Sequence, residues 1–287
     1  MSSLVSAATN HKQNALLATV VAEIRESFRA KWFFLYALIF GGAIILLLAL
    51  GITESQVLGF TGLSRLLVTY IQLCVAILPI FVLVTTVRTV VGDRESNVLE
   101  YILSLPISLA AYYWGKLLAR FLIVFLPVFL ALSGALFWGA VKGLSIPWTI
   151  VGYYSLMLAA LAWSFLGTGM FISTLVRKQE WALGLAFLVW LTLLLFIDVI
   201  LIGVLLQNQI MEEVIIGIAL LNPLQAFRTG AILLFDPELS LLGPASYVIL
   251  DNFGKTGFLL YSIIYPLGLG WGFSWLGFKV FQKGDLV

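Results

Sequence analysis

Gly92-Asp93-Arg94-Glu95-Ser96-Asn97-Val98-Leu99-Glu100-Tyr101-Ile102-Leu103-Ser104-Leu105-Pro106-Ile107-Ser108 is where a chain that otherwise avoids charge gathers it. Asp93 can cap a helix, and Glu95 then falls in the first turn, where unpaired amides and the helix dipole favour an acid. Val98, Leu99, Ile102, Leu103 and Leu105 follow as an apolar stripe, with Arg94, Asn97 and Glu100 elsewhere around the axis. Pro106 lacks a backbone donor and ends the helix, and Ser108 can cap the next one. The spacing predicts a short amphipathic helix over about 93–106. Such a helix suits a groove on a partner, its stripe giving affinity and its charges giving register. The bland alternative is a solvated loop flanked by snorkelling side chains.

The flanks decide the fold. Hydrophobic residues make up 62% of the 287 positions and charged residues 10%, against about a quarter charged in an ordinary soluble domain. Charge-poor windows cover 32–53, 66–87, 121–141, 143–176, 181–211 (broken only by Asp198) and 256–278. Each reaches the roughly 20 apolar residues that cross a bilayer core. Backbone groups in lipid must be satisfied within their own segment, so all six read as helices. The expectation is an all-α polytopic membrane protein with one six-helix domain over 32–287, preceded by a tail and interfacial helix over 1–31. The first thirty residues lack the basic-then-apolar order of a cleavable signal, so insertion is expected to start with the first span.

Lysine and arginine set the orientation. With the N-terminus inside, only Arg65, Lys142, Arg228 and Lys255 of the 16 basic residues fall outside. That bias places both termini in the cytoplasm. Ahead of the first span, Leu17, Val21, Ile24 and Phe28 recur at steps of four, three and four. They form one face of a helix at the membrane interface; an anchor and a partner contact both fit it. On the outer side, 212–255 is far longer than a usual loop. Its apolar stretches 214–221 and 226–235 are too short to span and read as interfacial or re-entrant helices, with Asn222-Pro223 as the turn between them.

The order of these elements resembles the ABC-2 type permeases over nearly the whole chain: interfacial helix, two spans, a glutamate-bearing helix ending in Leu103-Ser104-Leu105-Pro106, four more spans and a long outer connection. The stretch from Arg94-Glu95-Ser96 to Lys116 carries most of it. The resemblance implies a type V exporter-like permease fold in the bacterial inner membrane, in which 93–106 is the coupling helix. The ATPase-coupling residues would be Asp93, Arg94, Glu95, Ser96, Leu99, Glu100, Ile102 and Leu103. It also implies a homodimer working with two cytoplasmic ABC ATPases, which bind the ATP and magnesium. Leu185-Ala186-Phe187-Leu188-Val189-Trp190, Phe196-Ile197-Asp198-Val199 and Leu220-Leu221-Asn222-Pro223 with Phe227-Arg228 are similar to the branch encoded with nitrous oxide reductase maturation factors. That branch implies a periplasmic accessory protein and a role in building a copper site.

Asp198 is the one ionisable residue deep in a predicted span. An intramembrane acid is costly unless paired or buried, which makes it a functional candidate at a dimer interface or polar cavity. A structural hydrogen bond to a neighbouring helix is the plain reading. Arg228 can pair with Asp198, with Glu212 or Glu213, or with a lipid phosphate. Pro79, Pro127 and Pro266 interrupt spans, where they kink helices or are simply tolerated. Gly254-Lys255-Thr256 resembles a phosphate loop, but the glycine required five residues earlier is Ile249. No nucleotide site, and no cofactor, is therefore expected on this chain. A copper conduit would need thiolate, thioether or imidazole ligands. Cys74, Met1, Met157, Met170 and Met211 are scattered, and His11, the only histidine, lies in the tail. The subunit is thus expected to bind no metal and to transmit force.

Enzyme chemistry is not expected, because the spans hold no histidine and no acid pair to serve a nucleophile or a metal. Nucleic acid is not an expected partner; lipid is. The rival readings are a generic ABC-2 exporter of lipid or drug and an ion-coupled secondary transporter. The latter predicts inverted repeats with midplane polar sites, and here only Asp198 qualifies.

Overall fold

The computed structural model describes residues 2–29, 62–105, 107–141, 143, 148–196, 212–234, 236 and 245–284, together with positions 34, 37–39, 41, 42 and 45. Every regular element among them is helical: α1 (Ser2–Arg29), α2 (Gly62–Glu95), α3 (Val98–Ser104), α4 (Leu109–Val141), α5 (Trp148–Leu175), α6 (Gln179–Leu191), α7 (Glu212–Leu220), α8 (Pro223–Leu233) and α9 (Ala245–Gly284). A π-helical turn, Thr192–Phe196, continues α6.

Four of these helices are long and apolar enough to cross a membrane: α2, α4, α5 and α9. The α7–α8 pair bends by 98° at Leu221-Asn222 and is either a broken fifth span or a re-entrant hairpin. The apolar length is what licenses a crossing, since a stretch of about 20 apolar residues matches the hydrocarbon thickness. The expected first span, 32–53, lies largely outside the described residues, as do Asp198, Met211, the end of the fifth window and most of 235–244. Pro79, Pro127 and Pro266 lie inside α2, α4 and α9 as expected. The sixth window extends further than its charge-poor core, because α9 begins at Ala245 and is interrupted at Gly254, whose left-handed φ of 65° no ordinary side chain favours.

Helix α5 is the centre of the bundle, packed between α9 on one side and α2 on the other. Most of it from Leu158 to Met170 is buried. The α5–α9 crossing is a backbone contact: a Cβ at Gly167 would sit 2.1 Å from the Gly270 carbonyl oxygen, and one at Gly270 would sit 2.5 Å from that of Trp163. In lipid, where helices gain nothing by hiding from water, small residues allow the close approach that dispersion requires. Aromatic rings fill the space alongside it, Trp163 against Trp271 at 5.1 Å and Trp114 against Trp271 at 5.4 Å.

Helix α1 packs along α4 by its polar side. Glu23 and Ser27 face inward and are buried, whereas Leu17, Val21 and Phe28 are exposed. Three of the four residues of the apolar face read from the sequence thus point away from the bundle, and Ile24 is half-buried. A flank beside a membrane gains by turning its apolar side to lipid and its polar side to protein groups that can satisfy it.

Candidate functional site

The 92–108 stretch lies at one end of the bundle, and Asp93, Arg94 and Glu95 make contacts within the chain. Helix α2 runs through Glu95, so Asp93, Arg94 and Glu95 form its last turn, where Arg94 complements the dipole. The short helix is Val98–Ser104, not 93–106. Asp93 is not its N-cap. That place belongs to Asn97, in the left-handed conformation (φ 59°, ψ 11°) and without a side-chain cap bond. Asparagine tolerates this conformation better than most residues. The correction has a simple cause: a single glycine is tolerated inside a long helix, so the helix continues through Gly92 to Glu95 and the reversal falls at the Ser96-Asn97 pair.

Each of the three charges grips a different neighbour. The Lys116 Nζ lies 2.6 Å from Asp93 Oδ2, and the Tyr112 hydroxyl donates to the same oxygen at 2.6 Å. Arg94 Nη1 donates to the carbonyl of Val176 at 2.9 Å, just beyond the end of α5. Glu95 Oε2 accepts from the backbone N–H of Gln179 at 3.2 Å, capping the first turn of α6 in place of Lys178, whose side chain makes no cap. Arg88 Nε reaches the Gln179 side chain at 3.0 Å, and the Ser173 hydroxyl accepts from the N–H groups of Val90 and Val91. The end of α2 is thereby tied to α4, α5 and α6 together.

Helix α3 projects from this hub. Leu99 is buried at 4% exposure, and Ile102 packs against the same core. Seven residues cannot hold a helix on propensity alone, so these two side chains seat it. Val98, Tyr101 and Leu105, at i, i+3 and i+7, line the opposite ridge and are 42%, 68% and 39% exposed. Ser96, Asn97, Glu100 and Ser104 flank the ridge and are exposed; the side chain of Leu103 lies outside the described residues. Leu105 turns to extended geometry (φ −80°, ψ 157°) ahead of Pro106, the conformation a residue before proline prefers. Ser108 caps α4 as expected, its hydroxyl accepting from Ala111 N–H at 3.2 Å.

The other end of the bundle holds the second group of predicted residues. Asn222, 2% exposed, caps α8: its Oδ1 accepts from Leu224 N–H at 3.0 Å, with Pro223 in the first helical position. Its Nδ2 donates to the carbonyl of Leu193 at 2.6 Å. Leu193 belongs to the π-turn, which leaves a carbonyl outside the regular ladder, and Asn222 takes it up. Tyr261 donates to the carbonyl of Leu220 at 2.9 Å, satisfying the last carbonyl of α7, and Tyr265 donates to that of Leu221 in the turn that follows. Arg228 is exposed beside a cavity of about 40 Å³ lined by Val75, Leu193, Leu194, Leu224 and Gln225. Its suggested partner Asp198 and the side chains of Glu212 and Glu213 lie outside the described residues.

A family model described as "ABC-2 family transporter protein" matches residues 17–286, almost the full length. The chain belongs to this ABC-2 family. It is similar to a "Probable ABC transporter permease protein NosY" from Stutzerimonas stutzeri, 26% identical over 231 residues that cover 78% of this chain and 83% of the relative. A protein of the same description from Pseudomonas aeruginosa PAO1 is 22% identical over 215 residues, 72% of this chain and 77% of that one.

As an ABC-2 permease, the chain is a multi-pass membrane component of an ABC transporter, and ATP hydrolysis belongs to partner subunits. Of the stripe expected from the sequence, Leu99 and Ile102 turn inward while Val98 and Leu105 stay exposed beside Tyr101, which that stripe did not include; the hub beneath was not expected. The structure brings Glu23, Lys116 and Arg120 together with Asp93. One signal was available: Glu23 lies on the side of α1 opposite Leu17 and Val21, and a helix whose apolar side faces lipid must turn that side toward protein.

Proposed function

We propose that this chain is the membrane subunit of an ABC complex that matures the copper site of nitrous oxide reductase, and that it transmits force from ATP hydrolysis without binding metal, nucleotide or another cofactor itself. It acts as a homodimer of six-span subunits in the inner membrane, with both termini cytoplasmic and residues 1–31 as a separate interfacial element. Two ATPase subunits dock on α3, and a periplasmic partner reads the α7–α8 hairpin. The observation that carries the reading is the ridge of Val98, Tyr101 and Leu105, left exposed on a helix whose other side is fastened to the bundle by Leu99 and Ile102. An exposed apolar ridge on a firmly seated helix fits helix-in-groove recognition. Arg88, Arg94, Lys116, Arg177, Lys178 and Lys279 cluster at that same end through their contacts and chain positions, which supports placing it in the cytoplasm. The branch assignment is supported by the two permeases described as NosY.

The test is Tyr101→Glu in the full-length permease, co-expressed with its cognate ATPase. A charge at the centre of the ridge should abolish co-purification of the ATPase while the permease still inserts. Undiminished co-purification refutes docking at α3.

A further inference from the structure

We propose that Lys116 is a positioning residue for the docking helix, clamping the end of α2 and the N-terminal helix α1 onto α4 through one shared ammonium group. The proposal rests on the docking reading above and names what holds the docking element at its angle.

The Lys116 Nζ lies 2.6 Å from Asp93 Oδ2 on α2 and 3.3 Å from Glu23 Oε2 on α1. Arg120, one turn further along α4, binds the other oxygen of Glu23 at 2.7 Å. Lys116 and Glu23 are buried, at 6% and 4% exposure. Two carboxylates thus meet two cations across three helices, and the cluster is neutral as a whole. Buried ion pairs are poor sources of net stability, since desolvation offsets much of the attraction. Apolar side chains would hold three helices together at least as well. What an apolar patch lacks is a fixed set of partners: here Asp93 and Glu23 share one ammonium, and Glu23 also takes the planar guanidinium of Arg120, so a slip of any one helix breaks a charge-assisted bond.

The place of the cluster gives that fixed set a use. Asp93 precedes Val98 by only five residues, with the left-handed Asn97 between them. Fixing Asp93 against α4 therefore fixes the point from which α3 departs. Glu23 brings α1 into the same bond set, so α1 and the α2–α3 corner cannot shift independently while Lys116 holds both. The Tyr112 hydroxyl, on the same oxygen of Asp93, narrows the geometry further. The consequence is that a push on the ridge of Val98 and Tyr101 is delivered to α1 and α4 together.

The experiment uses the full-length chain in lipid nanodiscs, with spin labels introduced by Ala22→Cys on α1 and Ser104→Cys on α3, both exposed positions. Lys116→Met alone leaves the half-buried Asp93 without its cation and the buried Glu23 with one cation fewer, and risks misfolding. The deciding variant is therefore Asp93→Asn/Lys116→Met, which removes the clamp and leaves Glu23 paired with Arg120. We expect it to melt as the parent does, to broaden the distance distribution between the labels, and to bind the ATPase about tenfold more weakly, since apparent affinity falls with the fraction of molecules in the competent arrangement. Lys116→Arg, which keeps the charge, should restore both readouts. An unchanged distance and affinity in the double variant overturns the proposal. So does failure of that variant to fold, which would make the cluster a structural staple. Tyr101→Glu is the reference: if it retains the ATPase, the docking reading fails. If it loses the ATPase while the double variant behaves as the parent, only the role of Lys116 fails.

Discussion

Leu99→Ala separates the seating of α3 from its use as a docking ridge. Leu99 is nearly inaccessible, yet it sits at the edge of the core, where its neighbours can partly close over a gap. The expected loss is about 2–3 kcal/mol, the lower part of the range for leucine truncation. The local equilibrium between seated and released α3 should therefore shift toward release by roughly 30- to 150-fold. A helix this short has little stability of its own, so the released segment should be unfolded. Hydrogen exchange in nanodiscs reads this directly, because amide protection reports the local opening free energy. Amides of 102–104, whose intrahelical acceptors are the carbonyls of 98–100, should lose protection by that factor, while those of 160–170 in α5 keep theirs. Val98→Ala, on the exposed side, should leave exchange unchanged and still weaken ATPase binding. If Leu99→Ala leaves protection at 102–104 intact, α3 is not held by its inner face and the argument for a seated ridge is wrong.

Two further perturbations address the rest of the bundle. Asn222→Asp keeps an acceptor for the α8 cap but turns an acceptor toward the Leu193 carbonyl in place of a donor; the loss of thermal stability should be at least about 2 kcal/mol, read as a lower melting temperature in detergent, and an unchanged one would mean the π-turn carbonyl finds another partner. Gly167→Ala places a Cβ 2.1 Å from a backbone oxygen, so its cost should exceed the usual overpacking range of about 1–3 kcal/mol; Gly134→Ala, with open space around the new carbon, should behave as the parent in size-exclusion chromatography, while Gly167→Ala yields aggregated protein.

The spans at α2, α4, α5 and α9 were legible because lipid imposes a length and composition that no other environment demands. The turn at Asn222-Pro223 was equally legible, since a capping side chain followed by proline is a local signal. The ends of helices were harder. Charge-poor windows stop at the first charge, yet α4 starts twelve residues before Phe121 and α2 continues past Arg88 to Glu95, because Lys116, Arg120 and Arg94 find partners elsewhere in the bundle. Composition cannot tell a charge facing water from one facing a buried partner eighty residues away. That is also why the contacts of Asp93, Arg94 and Glu95 within the chain were not legible. Nor does sequence period alone say which way α1 turns its apolar side, since lipid and protein reward the same stripe.

The glycine crossing of α5 and α9 leaves no compressible layer between two main chains. Leucines or phenylalanines in contact can change rotamer and let helices slide, but a carbonyl against a bare α-carbon has nothing that can yield. Those two helices must travel as one rod. Any stroke that crosses this subunit has to be taken up where side chains of adjustable length lie between the helices, along the seams that join α1, α2 and α4 to that rod.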